Sequence, residues 1–101
     1  MDLQKYDKEY WEFVDKKFKG YSLEKQAKLF TLYLDHILKY VDGKRSLKVL
    51  DIGCGYGHFL KLCEVHTSWE LYGVDVSECA LDKARRILSR TKLEKWTWKK
   101  D

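Results

Sequence analysis

Val49-Leu50-Asp51-Ile52-Gly53-Cys54-Gly55-Tyr56-Gly57 joins two kinds of sequence within nine residues. Its first part, with Leu47 and Lys48 before it, is short, rich in branched aliphatics and bounded by glycine. That is the pattern of a buried strand. Its second part places glycine at every other position. A chain that leaves a strand and enters a helix within a few residues needs backbone angles that a β-carbon forbids, and glycine supplies them. Glycine also lets a ligand touch the backbone, and the start of the following helix presents unpaired N–H groups and a positive end. Those groups suit a carboxylate, a ribose oxygen or a phosphate equally, so the glycines alone do not name the ligand.

Working outward, Phe59, Leu60 and Cys63 predict a short helix after the turn. Residues 69–76 read as the next strand. Ser77 is placed to cap a helix carrying Ala80, Leu81, Ala84, Ile87 and Leu88. Residues 93–98 read as a third strand, with Trp96 and Trp98 on one face. Strand, helix, strand, helix, strand is the signature of a parallel sheet, and ligands of such sheets bind beyond the carboxyl ends of the strands. Asp51 and Asp75 fall at or beside two such ends, and Asp101 follows the third. Upstream, Tyr6, Tyr10, Phe13, Val14 and Phe18 recur at helical spacing and predict a helix over residues 7–18, ended by Gly20. A second helix starts at Ser22 as its cap, carries the stripe Leu29, Phe30, Tyr33, Leu34, Ile37, Leu38 and Val41, and ends at Gly43.

The dinucleotide fingerprint G-x-G-x-x-G is met imperfectly, because His58 stands where its third glycine belongs and Gly57 comes one residue early. Asp51-x-Gly53-Cys54-Gly55-x-Gly57 instead closely resembles motif I of class I S-adenosylmethionine-dependent methyltransferases. Tyr72-Gly73-Val74-Asp75-Val76-Ser77 resembles the segment where that family places an acid after its second strand. A carboxylate there accepts two hydrogen bonds from a ribose diol. Asp75 lies 18 residues past Gly57, close to the spacing at which a ribose-binding acid is expected. The resemblance implies that Gly53, Gly55 and Gly57 line the methionine and ribose portion of S-adenosylmethionine. It implies that Asp51 helps hold the amino-acid end and that Asp75 binds the ribose hydroxyls. Cys54 and Val76 complete the implied cofactor-binding set, and Asp101 falls where the family often places an adenine-contacting acid. Tyr6-Asp7-Lys8-Glu9-Tyr10-Trp11 resembles the aromatic leader that often helps cover the cofactor. An aromatic face attracts a sulfonium, though such a stripe is more often core.

The bulk composition agrees with one small domain: 101 residues, 45% hydrophobic, 36% charged, no proline and six glycines. Flexible linkers and low-complexity tracts are excluded. Cys54, Cys63 and Cys79 form an odd set without C-x-x-C, which argues against a disulfide framework and for a reducing compartment, so a cytoplasmic location is expected. The polar start has no signal-peptide core, and no apolar run spans a bilayer. Cys54, His58, Cys63 and His66 are zinc-type residues, but their spacing and their placement on a loop and a helix scatter them, so no metal is expected. The net charge is +4, with a basic run at Lys83, Arg85, Arg86, Arg90, Lys92, Lys95, Lys99 and Lys100. Such a run is usually a solvated face, and nucleic acid is the weaker reading even with Trp96 and Trp98 as stacking surfaces.

The expected fold is therefore α/β. Residues 1–45 form a helical segment, and residues 46–101 form a partial Rossmann-like parallel sheet, strands one to three of the methyltransferase fold. The resemblance implies a seven-stranded sheet in which strand one is central, so one edge of that strand lacks its neighbour here. An apolar edge invites pairing. The expected function is S-adenosylmethionine binding as the N-terminal part of a methyltransferase acting on a small molecule. The alternative is a non-catalytic methyltransferase-like subunit, or a fragment, that needs a partner chain. A nicotinamide-nucleotide site is disfavoured by the glycine spacing. No residue is given a catalytic role, because methyl transfer asks chiefly for alignment, and the groups that align the acceptor are implied to lie further along the fold.

Overall fold

The computed structural model describes residues 3–17, 22–41 and 46–97. Two helices, α1 (Leu3–Lys17) and α2 (Ser22–Val41), precede β1 (Lys48–Ile52), α3 (His58–His66), β2 (Glu70–Asp75), α4 (Glu78–Ile87) and β3 (Lys92–Lys95). The sheet has the order β1-β2-β3, and both pairs are parallel. In register, Leu50 lies beside Tyr72 and Ile52 beside Val74, while Tyr72 lies beside Lys92. The α/β class and the three parallel strands are those expected. Helix α1 begins earlier than residue 7, and the third strand ends at Lys95, short of the two tryptophans. Trp96 still extends the pairing by donating its N–H to the Asp75 carbonyl at 2.9 Å. Gly20, Gly43, Trp98 and Asp101, and the side chain of Ser22, lie outside the described residues.

Local chemistry accounts for the element boundaries. Ser77 caps α4 as expected, its Oγ accepting the Ala80 N–H at 2.9 Å. Helix α3 starts at Gly57, whose φ of 85° is left-handed and whose would-be β-carbon sits 3.1 Å from the Ala84 β-carbon. At Gly73 a β-carbon would lie 2.7 Å from Leu60 Cδ1 and 2.8 Å from Leu93 Cδ2. The missing side chain therefore lets α3 press onto the centre of the sheet. Leu60, Cys63, Trp69, Leu71 and Leu81 form the core there, and Leu34 of α2 joins them.

One expectation needs correction. The first strand was expected to be buried, but one of its faces is exposed and the other, with Val49 and Asp51, is only half-buried. Leu50 is 55% exposed and Ile52 66%. The cause is topological. Both crossovers step across the sheet in the same direction, and right-handed crossovers then lay α3 and α4 on the same face. Leu71 and Gly73 point into that covered face and are buried. Leu50, Ile52, Tyr72 and Val74 point to the other, which no described element covers.

Candidate cofactor site

The glycine turn is tied to the end of β2 by backbone. The N–H groups of Gly53 and Cys54 both donate to the Val74 carbonyl, at 2.8 and 3.1 Å, and Gly57 N–H closes the turn on the Cys54 carbonyl at 3.0 Å. Gly53 and Gly55 both have positive φ, 75° and 57°. Asp75 then joins the two strand ends. Its Oδ2 accepts the Gly55 N–H at 2.8 Å and its Oδ1 accepts the Ser77 N–H at 2.9 Å. The acid singled out for a ribose thus also holds the loop in shape. A carboxylate oxygen has room for a second donor, so these bonds leave capacity for a diol.

Asp51 is half-buried at the end of β1 and has no hydrogen-bond or ion-pair partner among the described residues. Burial, then the nearby Asp75 carboxylate, push its pKa up. Cys54 is buried under the loop, and burial first, then the two acids, push its thiol up to about 11. Cys63 is likewise pushed up to about 11 by burial, and burial holds His58 below the ordinary imidazole range. No group of three or more histidine, cysteine, aspartate or glutamate side chains is gathered for a metal among the described residues. Val76 is exposed beside Asp75, and the position of a β-carbon at Gly53 meets nothing within 4 Å, so the loop's outer face is open to a ligand.

Helix α1 lies over the loop, and sequence reasoning missed how it is held. Trp11 Nε1–H donates to Ser77 Oγ at 2.8 Å, and Ser77 Oγ–H donates to Asp7 Oδ1 at 2.6 Å. Asp7 also accepts the Cys79 N–H at 3.1 Å. The Trp11 ring is 4.5 Å from that of Tyr56 and 3.8 Å from where a Gly55 β-carbon would be. Further along, Lys83 Nζ reaches Asp15 at 2.7 Å and the Tyr56 hydroxyl at 3.1 Å, and Tyr56 donates to Asp15 at 2.9 Å. Trp11 thus sits on the loop, whereas Tyr10 is half-exposed and stacks edge-on against it. The acids and the lysine lie about seventy residues from each other in sequence, and no local pattern marks them.

Several described members of the basic run are paired within the fold. Arg85 pairs with Glu78 and Asp82, Lys83 with Asp15, and Lys95 with Glu78. The Arg90 guanidinium donates to the carbonyls of Trp69 and Thr67.

The pattern of the methyltransferase domain matches residues 49–101. Among solved structures, the PH0226 protein from Pyrococcus horikoshii OT3 is 28% identical with a TM-score of 0.66, over 84% of this chain and 38% of that one. The plantazolicin methyltransferase BpumL, solved with a desmethyl plantazolicin analogue and S-adenosylhomocysteine (SAH), is 22% identical with a TM-score of 0.55, over 90% of this chain and 38% of that one. The second likeness is one of fold alone. No curated protein matches the sequence. The chain spans a little over a third of the length of these two solved proteins. With motif, strand order and more than half its length in agreement, the chain belongs to the class I, S-adenosylmethionine-dependent methyltransferase family and carries the N-terminal part of that domain.

Proposed function

We propose that this chain binds S-adenosylmethionine across the carboxyl ends of β1 and β2, as the cofactor-binding part of a methyltransferase that acts on a small molecule. The observation that carries the reading is the bond from Gly55 N–H to Asp75 at 2.8 Å, which sets a left-handed glycine loop and a ribose-type acid side by side. Gly53, Gly55 and Gly57 bring bare backbone to the ligand. Asp75 accepts the ribose hydroxyls on the lone pairs its two N–H donors leave free. The unpartnered Asp51 receives the ammonium of the methionine arm. Val76 flanks the bound nucleoside as an exposed apolar contact, while Cys54, its side chain buried under the loop, offers only its backbone. Trp11 covers the loop from above, and its ring face suits a cationic sulfur. When bound, S-adenosylmethionine supplies a methyl group activated by its positive sulfur. This chain's own work is to bind and orient it. The three free cysteines fit a reducing, cytoplasmic location.

The test is a titration of S-adenosylmethionine, with NAD as control, followed by thermal unfolding. A hundredfold excess over the dissociation constant adds about 2.7 kcal/mol. For a domain of this size each kcal/mol moves the midpoint by roughly 4–8 °C. We expect a shift with S-adenosylmethionine and none with NAD, lost in Asp75→Asn. An equal shift with NAD, or none in a folded sample, would refute the reading.

A second reading is favoured by the bare sheet face at Leu50 and Ile52. Here the chain meets another protein surface through β1, either further chain of the same domain or a partner subunit, and its role in turnover depends on that partner.

A further inference from the structure

Asp7, Trp11 and Asp15 recur at every fourth residue of α1, which sets them on one face of the helix. The first two meet at one buried hydroxyl, that of Ser77, between the end of β2 and the start of α4. A serine hydroxyl has one proton and two lone pairs, and here all are used. Ser77 Oγ donates to Asp7 Oδ1 at 2.6 Å and accepts the N–H groups of Trp11 and Ala80 at 2.8 and 2.9 Å. The other oxygen of Asp7 accepts the Cys79 N–H at 3.1 Å, where the positive end of α4 favours a carboxylate. Ser77 is thereby held in one orientation, with no side-chain donor left for a ligand. Its backbone N–H holds Asp75 Oδ1 at 2.9 Å, and Gly55 N–H holds Oδ2 at 2.8 Å. A carboxylate has about four acceptor sites. One donor on each oxygen leaves room on both, as a vicinal diol requires, and the Ser77 N–H helps set where those free sites point. We propose that Asp7 is a positioning residue for Asp75: acting through Ser77, it fixes the carboxylate that takes the ribose diol, so that recognition of the sugar requires α1 docked on the start of α4. The diol rests on the reading above; the relay from Asp7 to Asp75 stands on the hydrogen bonds alone. Docking of α1 as such has a second clamp, since Asp15 holds Lys83, six residues further along α4 than Ser77, together with Tyr56. Asp7 differs from that clamp in gripping the residue that grips the acid. Trp11 also lies 3.8 Å from the position of a Gly55 β-carbon, so one helix face closes on both residues that hold Asp75.

The experiment is calorimetric titration of the 101-residue chain with adenosine and with 2′,3′-dideoxyadenosine, which lacks only the diol. Amide exchange of Gly55 and Ser77 is followed by NMR on the same samples without ligand. The natural chain should prefer adenosine by roughly a hundredfold, the size of two hydrogen bonds to a carboxylate. Asp7→Asn should cut that preference to about tenfold or less and speed exchange of both amides about tenfold, while affinity for dideoxyadenosine stays. Asp75→Asn should abolish the preference, and adding Asp7→Asn to it should cost nothing more, as for two residues in one network. Lys83→Met, which breaks only the second clamp, should change neither the preference nor the two amides. Asp7→Glu, which keeps the charge but moves it off Ser77, should match Asp7→Asn and replaces it if that variant does not fold. An unchanged preference in Asp7→Asn, an equal loss for both nucleosides, or the same loss in Lys83→Met would overturn the proposal, since each is what a merely structural helix gives. If the natural chain binds neither nucleoside, or does not tell them apart, faster exchange of Gly55 and Ser77 in Asp7→Asn would uphold the relay and sink the ribose reading of the site. Unchanged exchange in that case would overturn both.

Discussion

At the scale of single residues, Glu64 is the most consequential acid outside the candidate site. Its side chain is 3% exposed, on the covered side of α3. It accepts the backbone N–H groups of Ser89, Arg90 and Thr91 at 2.9 Å each and the Thr91 hydroxyl at 2.7 Å. Burial pushes its pKa up, but these donors outweigh it and hold the group down at about 2, against an ordinary 4.5. Since the folded value is depressed, the stabilisation is complete above about pH 4.5 and is lost as pH falls towards about 2. The difference corresponds to about 3 kcal/mol. Glu64→Gln, which puts an amide donor against donors, should cost about 2–3 kcal/mol at pH 7 by urea unfolding. That cost should shrink steadily as the pH falls below about 4.5. A cost independent of pH would mean that Glu64 acts through packing rather than charge. Nothing in His58-Phe59-Leu60-Lys61-Leu62-Cys63-Glu64 announces this role, because the loop it binds lies some twenty-five residues on. The place of Asp75 at the end of the second strand was legible by contrast, since that strand and the glycine turn both carry strong local patterns.

At the scale of elements, strands and helices were readable wherever turn chemistry is local. Ser77, Gly57 and the Val49–Ile52 run each mark a boundary with their own side chain or lack of one. The place of α1 was not readable, because it depends on pairings between Asp7 and Ser77 and between Asp15 and Lys83. Among the described elements α1 packs chiefly on α4, so these polar contacts are much of what docks it. The Asp15–Lys83 pair is 2.7 Å long, but both side chains are well exposed, which limits its worth to about 0–1 kcal/mol. Lys83→Met should therefore leave the global unfolding midpoint nearly unchanged. It should instead speed hydrogen exchange of the α1 amides and make it less sensitive to salt. Unchanged α1 exchange would show that Trp11 and Asp7 dock the helix without the ion pair. A lightly held α1 over Gly55 also suits a loop that must admit and release a ligand, because the elements that move are drawn from the least stable contacts.

At the scale of the whole molecule, one face of the sheet separates a self-sufficient domain from one that needs more. Leu50, Ile52, Tyr72 and Val74 form that bare face, where a groove runs between Leu50, Tyr72 and Lys92. The sequence showed these residues to be strand-forming and apolar. It could not show that both crossovers fall on the opposite face, which depends on the order in which the strands assemble. An apolar face beside an open parallel edge has two stable outcomes, cover by further protein or association with itself. The 101-residue chain alone should therefore associate in a concentration-dependent way, measured by light scattering on a size-exclusion column. Leu50→Lys together with Ile52→Lys should shift it to a monomer and leave the far-ultraviolet circular dichroism in place, since both side chains point away from the core. If the natural chain ran as a monomer at all concentrations, the bare face would be tolerated without a partner, and the second reading of its function would lose its only support. If the double variant unfolded while the natural chain associated, the face would belong to the fold's own stability, and what covers it would have to be counted as part of the domain.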